Sequence, residues 1–308
     1  MATISAKDVM ELRKQTDCGM MECKKALTDA EGDFAKAVEL LREKGLATAS
    51  KKAGRVAAEG MVYATACSEC KVGVALEVNA ETDFVAKNDK FVDFVKKVAD
   101  VIIKENPADV EALMACKMGE GTVDDALKNL ILVIKENIKV RRFTRYEGVC
   151  AAYIHAGGTH AVLVNFDTTD EVAAKPEFAV YGKDIAMQIA AANPTYVCRE
   201  EVPADVLDKE KEILLAQMAN DPKTANKPEA VKEKMILGKV GKFYKEACLV
   251  DQPFIKDGGM DVKKYVADTA KALGGDIKIA SFTHFTKGEG LEKRNEDFAA
   301  EVAAAIKG

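Results

Sequence analysis

The chain has 308 residues, 48% of them hydrophobic and 31% charged, with a formal net charge of −5. That composition is globular and long enough for two or more domains, while its acidic balance speaks against broad binding to a nucleic-acid backbone, which needs a basic surface. No run reaches the length of a membrane span and the N-terminus carries no apolar signal core, so a cytoplasmic protein without membrane contact is expected.

Residues 4 to 47 read as three short helices. Ser5 and Asp8 stand in capping-box spacing ahead of Val9, Leu12 and Arg13. The break Thr16-Asp17-Cys18-Gly19 precedes a second helix from Met21 to Asp29. Gly32-Asp33 restarts the chain into a third, with Phe34, Val38 and Leu41 on its apolar face and Gly45 at its end. A module of this size has a small core and suits docking. Adjacent Met20 and Met21 cannot both face one core, so one of them is expected at the surface, where methionine makes an adaptable contact. Ala47 to Arg55 then reads as a basic tether of small residues, closing a first unit at 1–55.

Two strands, Met61–Ala66 and Val72–Val78, flank Cys67-Ser68-Glu69-Cys70. This is the only pair among eight cysteines with metal-like or redox-like spacing, and no second pair completes a zinc site. A hairpin turn with reduced thiols and a redox role are the two readings of it. The second strand alternates and runs into Glu77-Val78-Asn79-Ala80-Glu81-Thr82-Asp83-Phe84-Val85, after which an amphipathic helix leaves from Asp89 to Lys104. Thr82 and Asp83 can accept hydrogen bonds from the first free N–H groups of a helical turn, which would tie the corner down. Phe84 then either tucks into the core or projects beside an acid as a wedge.

Comparing the chain with itself shows a repeat. Glu59-Gly60, a hairpin, Leu76-Glu77-Val78-Asn79, a turn and a helix through Phe91 are matched by Glu147-Gly148, a hairpin, Leu163-Val164-Asn165, a turn and a helix after Phe178. Each copy has a later strand, Ile138 to Phe143 and Ile277 to Phe285. The fold class is therefore α+β: after the three-helix module come two repeated subdomains, each an antiparallel sheet with helices on one side. They span 56–146, and 147–202 with 248–287. The copies differ at one place that matters. Asp167-Thr168-Thr169-Asp170 has no aromatic where the first copy has Asp83-Phe84, which puts a presented Phe84 level with a structural one.

Residues 203–247 interrupt the second copy with two helical stripes, Val206, Leu207, Ile213, Leu214, Met218 and Val231, Met235, Val240, Phe243. They are separated by a bend holding Pro222 and Pro228, the pattern of an antiparallel helical hairpin. A C-terminal unit, 288–308, carries a short helix from Asn295 to Ile306 with Phe298, Val302 and Ile306 on one side. No P-loop, HExxH or nucleophile elbow occurs. The three histidines, His155, His160 and His284, are too dispersed in sequence to suggest a metal centre, and Gly157-Gly158 reads as a tight turn.

The blocks ELRKQTDCGMMECKKAL, LEVNAETDFVAKNDKF and GEGLEKRNEDFAAEVA together resemble the bacterial elongation factor Ts family, guanine-nucleotide exchange factors of elongation factor Tu, almost end to end. The resemblance implies a translation factor that is not an enzyme, needs no cofactor or metal, and touches neither nucleotide nor nucleic acid directly. It also implies that Arg13, Met20 and Met21 dock on the GTP-binding domain of elongation factor Tu. Thr82, Asp83, Phe84 and Val85 would intrude beside its nucleotide site, and His155 would make a further contact. Phe298 and Val302 would return to the GTP-binding domain, and the helical hairpin resembles an element used in some members for self-association. Two other classes stay open: a thiol enzyme resting on Cys67 and Cys70, and an RNA binder resting on Lys51, Lys52, Arg55 and the run Lys139-Val140-Arg141-Arg142.

Overall fold

The structure, a computed structural model, describes residues 4–16, 18–222, 224 and 227–292. The helix expected over 295–306, with Phe298 and Val302, lies outside the described residues. Three helices open the chain, α1 (Ala6–Thr16), α2 (Met20–Asp29) and α3 (Phe34–Lys52). The capping box is present at α1, where Asp8 accepts from Ser5 N and Oγ, and Ser5 Oγ accepts from Asp8 N. Leu12, Cys23, Leu27 and Ala37 close a small core between the three. Gly45 does not end α3: the helix runs on to Lys52, so most of the expected tether is helical. At Gly45 the backbone passes so near the next layer that a Cβ would lie 3.4 Å from the Lys128 carbonyl oxygen. The glycine is there for close packing and not as a stop.

A first antiparallel sheet follows, ordered β1 (Glu59–Cys67), β2 (Val72–Ala80), β5 (Ile138–Glu147). Between β2 and β5 lie α4 (Asp89–Glu105), α5 (Val110–Ala115), the small ribbon of β3 (Lys117–Met118) and β4 (Gly121–Thr122), and α6 (Val123–Ile134). The second sheet is ordered β10 (Ile277–Thr286), β7 (His160–Thr168), β6 (Val149–His155). Its connections hold α7 (Asp170–Ala173), α8 (Pro176–Ala192), α9 (Ala204–Asn220), α10 (Glu229–Ala247), the ribbon of β8 (Pro253–Phe254) and β9 (Asp257–Asp261), and α11 (Val262–Leu273). Both sheets share one plan: a hairpin, a covering helix, and a late strand returning antiparallel to the hairpin's second strand.

The alternation in β2 is real in composition but not in burial, because every residue of the strand is buried. Val72, Val74, Leu76, Val78 and Ala80 face the core under α4. The smaller opposite face meets the second sheet: Ala75 packs with Ala161, Leu163 and Phe285. Side chains of successive strand residues point to opposite faces, and here both faces are covered. The helical hairpin is thinner than its stripes suggest. Leu214, Met218 and Val240 are buried, while Ile213 and Val231 face outward. No described helix is long and apolar enough to cross a membrane.

Candidate partner-binding surface

The corner after β2 is built by residues far away in sequence. Ala80 pairs with Ile138, so the segment entering β5 runs beside the segment leaving β2. Glu136 takes both hydrogen bonds that Thr82 can donate, from the backbone N at 3.0 Å and from Oγ1 at 2.7 Å. Glu81 accepts from Asn137 N at 2.6 Å, and Asn137 Nδ2 donates to the Arg55 carbonyl at 2.7 Å. Arg55 reaches back to Glu81 at 3.4 Å. Thr82 and Asp83 therefore do not cap a helix. Asn88 does, accepting from Lys90 N at 3.0 Å and starting α4. In the second copy a threonine of the matching turn does cap: Thr169 Oγ1 accepts from Val172 N at the start of α7.

A single turn, Val85–Lys87, links corner to cap. Val85 is buried in the core below, Asp83 is exposed, and Phe84 has 78% of its surface free. Burying a phenylalanine is worth about 1.5–3 kcal/mol, so leaving this one in water needs a reason. The turn is anchored from beneath by Val85 and from the side by Glu136, which holds Phe84 out of the core.

The methionine pair stands on the same frame. Both are exposed, Met20 at 40% and Met21 at 76%, where one had been expected. The second helix starts one residue earlier than the sequence suggests, at Met20, with Gly19 before it. Neither position of the first turn faces the small core, which Cys23, Ala26 and Leu27 fill from α2. Glu22, next to Met21, lies 3.5 Å from Lys44 and 3.6 Å from Lys135. Lys135 immediately precedes the Glu136 that holds Thr82. Two contacts thus connect the methionines with the Phe84 corner. Arg13 is exposed on α1.

His155 is exposed at the end of β6. The turn after it docks on the first sheet, with Val62 N donating to the Gly158 carbonyl at 2.8 Å. Gly158 has φ +96°, and a Cβ there would lie 2.9 Å from that of Met61, so glycine is needed for both conformation and contact. This places the turn beside the end of β1 whose first residue, Glu59, pairs with Ala80 at the corner. The histidines are not dispersed in space, because β6, β7 and β10 are neighbours. Tyr153 OH and His155 Nδ1 are 3.0 Å apart, and His160 Nδ1 and His284 Nε2 3.2 Å. Asn193 Oδ1 accepts from His284 Nδ1 at 2.8 Å. Burial, and then the neighbouring His160, hold His284 below the ordinary imidazole value. Among the described residues no group of three or more His, Cys, Asp or Glu is placed to hold a metal ion.

The basic run on β5 turns inward. Glu77, fully buried, accepts from Arg141 Nη1 at 3.1 Å, Arg142 Nε at 2.6 Å and Gly288 N at 2.8 Å. The Arg142 guanidinium also lies 4.3 Å over the Phe285 ring. Two cations on which an RNA reading would rest are therefore spent in an internal network. That network fixes the start of the C-terminal segment against the first sheet, assisted by Lys287 on Glu59. The turn between β1 and β2 also departs from the expectation of free thiols: Cys67 and Cys70 are joined in a disulfide.

Sequence reasoning missed Glu77, Glu136 and Asn137. The two residues that brace the corner are more than fifty positions from it, and no local spacing couples them. Asn165, the counterpart of Asn79 in the repeat, was the nearest clue that β2 ends in a polar, buried stretch.

A family model described as Elongation factor TS matches residues 81–289. Elongation factor Ts of Trichlorobacter lovleyi is 49% identical over 98% of this chain and 98% of its own length. The corresponding proteins of Symbiobacterium thermophilum, 48% identical over 98% of each chain, and of Clostridium perfringens strain SM101, 47% identical over 97% of this chain and 98% of the relative, match as fully.

Proposed function

The chain belongs to the elongation factor Ts family, and from that premise we propose that it binds elongation factor Tu·GDP and promotes release of GDP so that GTP can rebind. The observation that carries this reading is Phe84, 78% exposed beside exposed Asp83 on a corner that Glu136, Asn137 and Arg55 hold in one shape. An exchange factor must bind the nucleotide-free partner more tightly than the GDP-bound partner, and by linkage it then weakens GDP by the same factor. It needs no contact with the nucleotide. A rigid apolar insert serves this purpose, since little of its binding energy is lost to ordering the insert itself.

In this reading Phe84 enters between side chains of the partner, and Asp83 disturbs the hydrogen bonds on the metal side of its nucleotide site. Thr82 and Val85 hold the wedge from within. Arg13, Met20 and Met21 dock on the GTP-binding domain, His155 adds a contact from the second sheet, and Phe298 and Val302 return to the GTP-binding domain from the tail. The chain divides functionally into the helical module 1–55, the subdomains 56–146 and 147–202 with 248–287, the hairpin 203–247 and the tail 288–308. The hairpin, with Ile213, Leu237 and Val231 outward, is the surface for self-association, and the protein works in the cytoplasm.

Release of a fluorescent GDP from elongation factor Tu, followed with sub-stoichiometric amounts of this protein, tests the proposal. Acceleration with turnover is expected, and replacing Asp83 and Phe84 by alanine removes it while circular dichroism and melting stay unchanged. No acceleration by the folded protein, or full acceleration by the double variant, would overturn it.

A further inference from the structure

We propose that the β1–β2 turn is a reversible dithiol–disulfide site that exchanges with small thiols and disulfides, with Cys70 as the attacked sulfur and Cys67 as the leaving one. The tip is open to solvent: Ser68, Glu69 and Cys70 are exposed and Cys67 is half-buried. The Cα atoms of the two cysteines are 5.3 Å apart, within the range a disulfide spans without moving the backbone. The turn is held at Lys71, its last residue. Lys71, in the left-handed region at φ +51°, places Nζ 2.8 and 2.6 Å from the two carboxylate oxygens of Asp170, and its carbonyl accepts from Gly148 N at 2.8 Å. A reduced pair therefore stays poised for closure.

The two sulfurs are not equivalent. Cys70 N donates to Cys67 Sγ at 3.1 Å, so a negative charge is better received on Cys67, while Cys70 is the one solvent reaches. Exchange favours the accessible sulfur as target and the better-stabilised thiolate as leaving group. In the reducing direction an external thiolate attacks Cys70 Sγ. The Cys67–Cys70 bond breaks, and its electron pair stays on Cys67, facing the Cys70 N–H. A second external thiolate then attacks the external sulfur of the mixed disulfide, releasing a small disulfide and the Cys70 thiolate. The protein disulfide has gained two electrons and two protons, and two small thiols have been oxidised. The same steps run backward with a small disulfide as oxidant.

Three of the other cysteines supply an internal contrast. Burial pushes the thiols of Cys150 and Cys248 up to about 11, and raises that of Cys18. Few of these are thiolates near neutral pH.

The test incubates the full chain with graded ratios of reduced to oxidised glutathione, alkylates the free thiols and maps them by mass spectrometry. Cys67 and Cys70 are expected to pass together from alkylated to closed as the ratio falls, while Cys18, Cys150 and Cys248 stay alkylated once the chain is unfolded for labelling. When the closed protein is mixed with reduced glutathione and quenched with acid in the first turnover, the trapped glutathione adduct is expected on Cys70, with Cys67 free to be alkylated. A pair that closes at no ratio, or a trapped adduct on Cys67, would overturn the proposal. Unchanged circular dichroism of the open and closed forms shows that the comparison is between folded proteins.

Discussion

If Phe84 acts as a wedge, the groups that hold it should matter to exchange although they never reach the partner. Glu136 is the clearest case, because replacing it with alanine removes both hydrogen bonds to Thr82 and leaves Phe84 and Asp83 untouched. Hydrogen bonds to a charged acceptor are worth about 1.5–3 kcal/mol each. Thr82 is half-buried, so water can replace part of what is lost, and about 2 kcal/mol for the pair is the appropriate scale. That corresponds to roughly a 30-fold rise in the open fraction of the corner. A binding-competent shape populated less by some factor lowers apparent affinity by that factor. Up to roughly 30-fold slower GDP release at limiting protein is therefore the ceiling, approached when the closed corner becomes the minority state. Stopped-flow release of fluorescent GDP from elongation factor Tu measures the functional loss, and hydrogen exchange at the Asn88 N–H, bonded to the Val85 carbonyl at 2.9 Å and not touched by the substitution, measures the opening. Combined with Phe84→Ala, the Glu136 substitution should add almost nothing, since both act through one element. A Glu136→Ala protein whose Asn88 amide exchanges faster but whose GDP release is unchanged would refute the idea that rigidity of the corner drives exchange.

Glu77→Ala leaves two guanidinium groups and the Gly288 amide without their shared acceptor; breaking a buried pair of this kind costs about 3–5 kcal/mol, so denaturant melts should shift well below the parent, whereas an unchanged midpoint would deny Glu77 its place at the centre of the network. His284 gives a pH dependence of defined sign. Its folded-state value lies below the ordinary one through burial and then His160, so the unfolded chain binds the extra proton first. Its contribution is present above the unfolded imidazole value and is lost as pH falls through the folded one. Stability from urea melts should decline as the medium is acidified from neutrality through the imidazole range, and His284→Gln should flatten that decline; an equal slope in the variant would assign the effect to other groups.

Much of this molecule is written locally in its chain. Ser5 and Asp8 announce the first helix because a capping box needs only four consecutive residues. The hairpin at Gly157-Gly158 and the amphipathic α4 are likewise read from spacing, and the strands of both sheets follow from the repeat. The absence of an aromatic at Asp167–Asp170 marks Phe84 as a candidate for presentation and leaves the choice between wedge and core to the tertiary structure. Gly45 misled because a glycine that ends a helix and one that lets a neighbouring backbone approach are the same letter, and only the position of α6 separates them.

Tertiary structure alone decided what touches what across long separations. The alternation of β2 could not say that its small-residue face would also be covered, because the covering sheet is built from the other half of the chain. His284 came beside His155 and His160, a pair joined by one hairpin, through the order β10-β7-β6, and the basic run of β5 turned inward because Glu77 lies buried opposite it. Periodicity specifies which face of an element is apolar; it carries no information on which distant polar group will meet the other face. That is why a candidate wedge could be seen in the sequence, while Glu136 and Asn137, which hold it in place, could not.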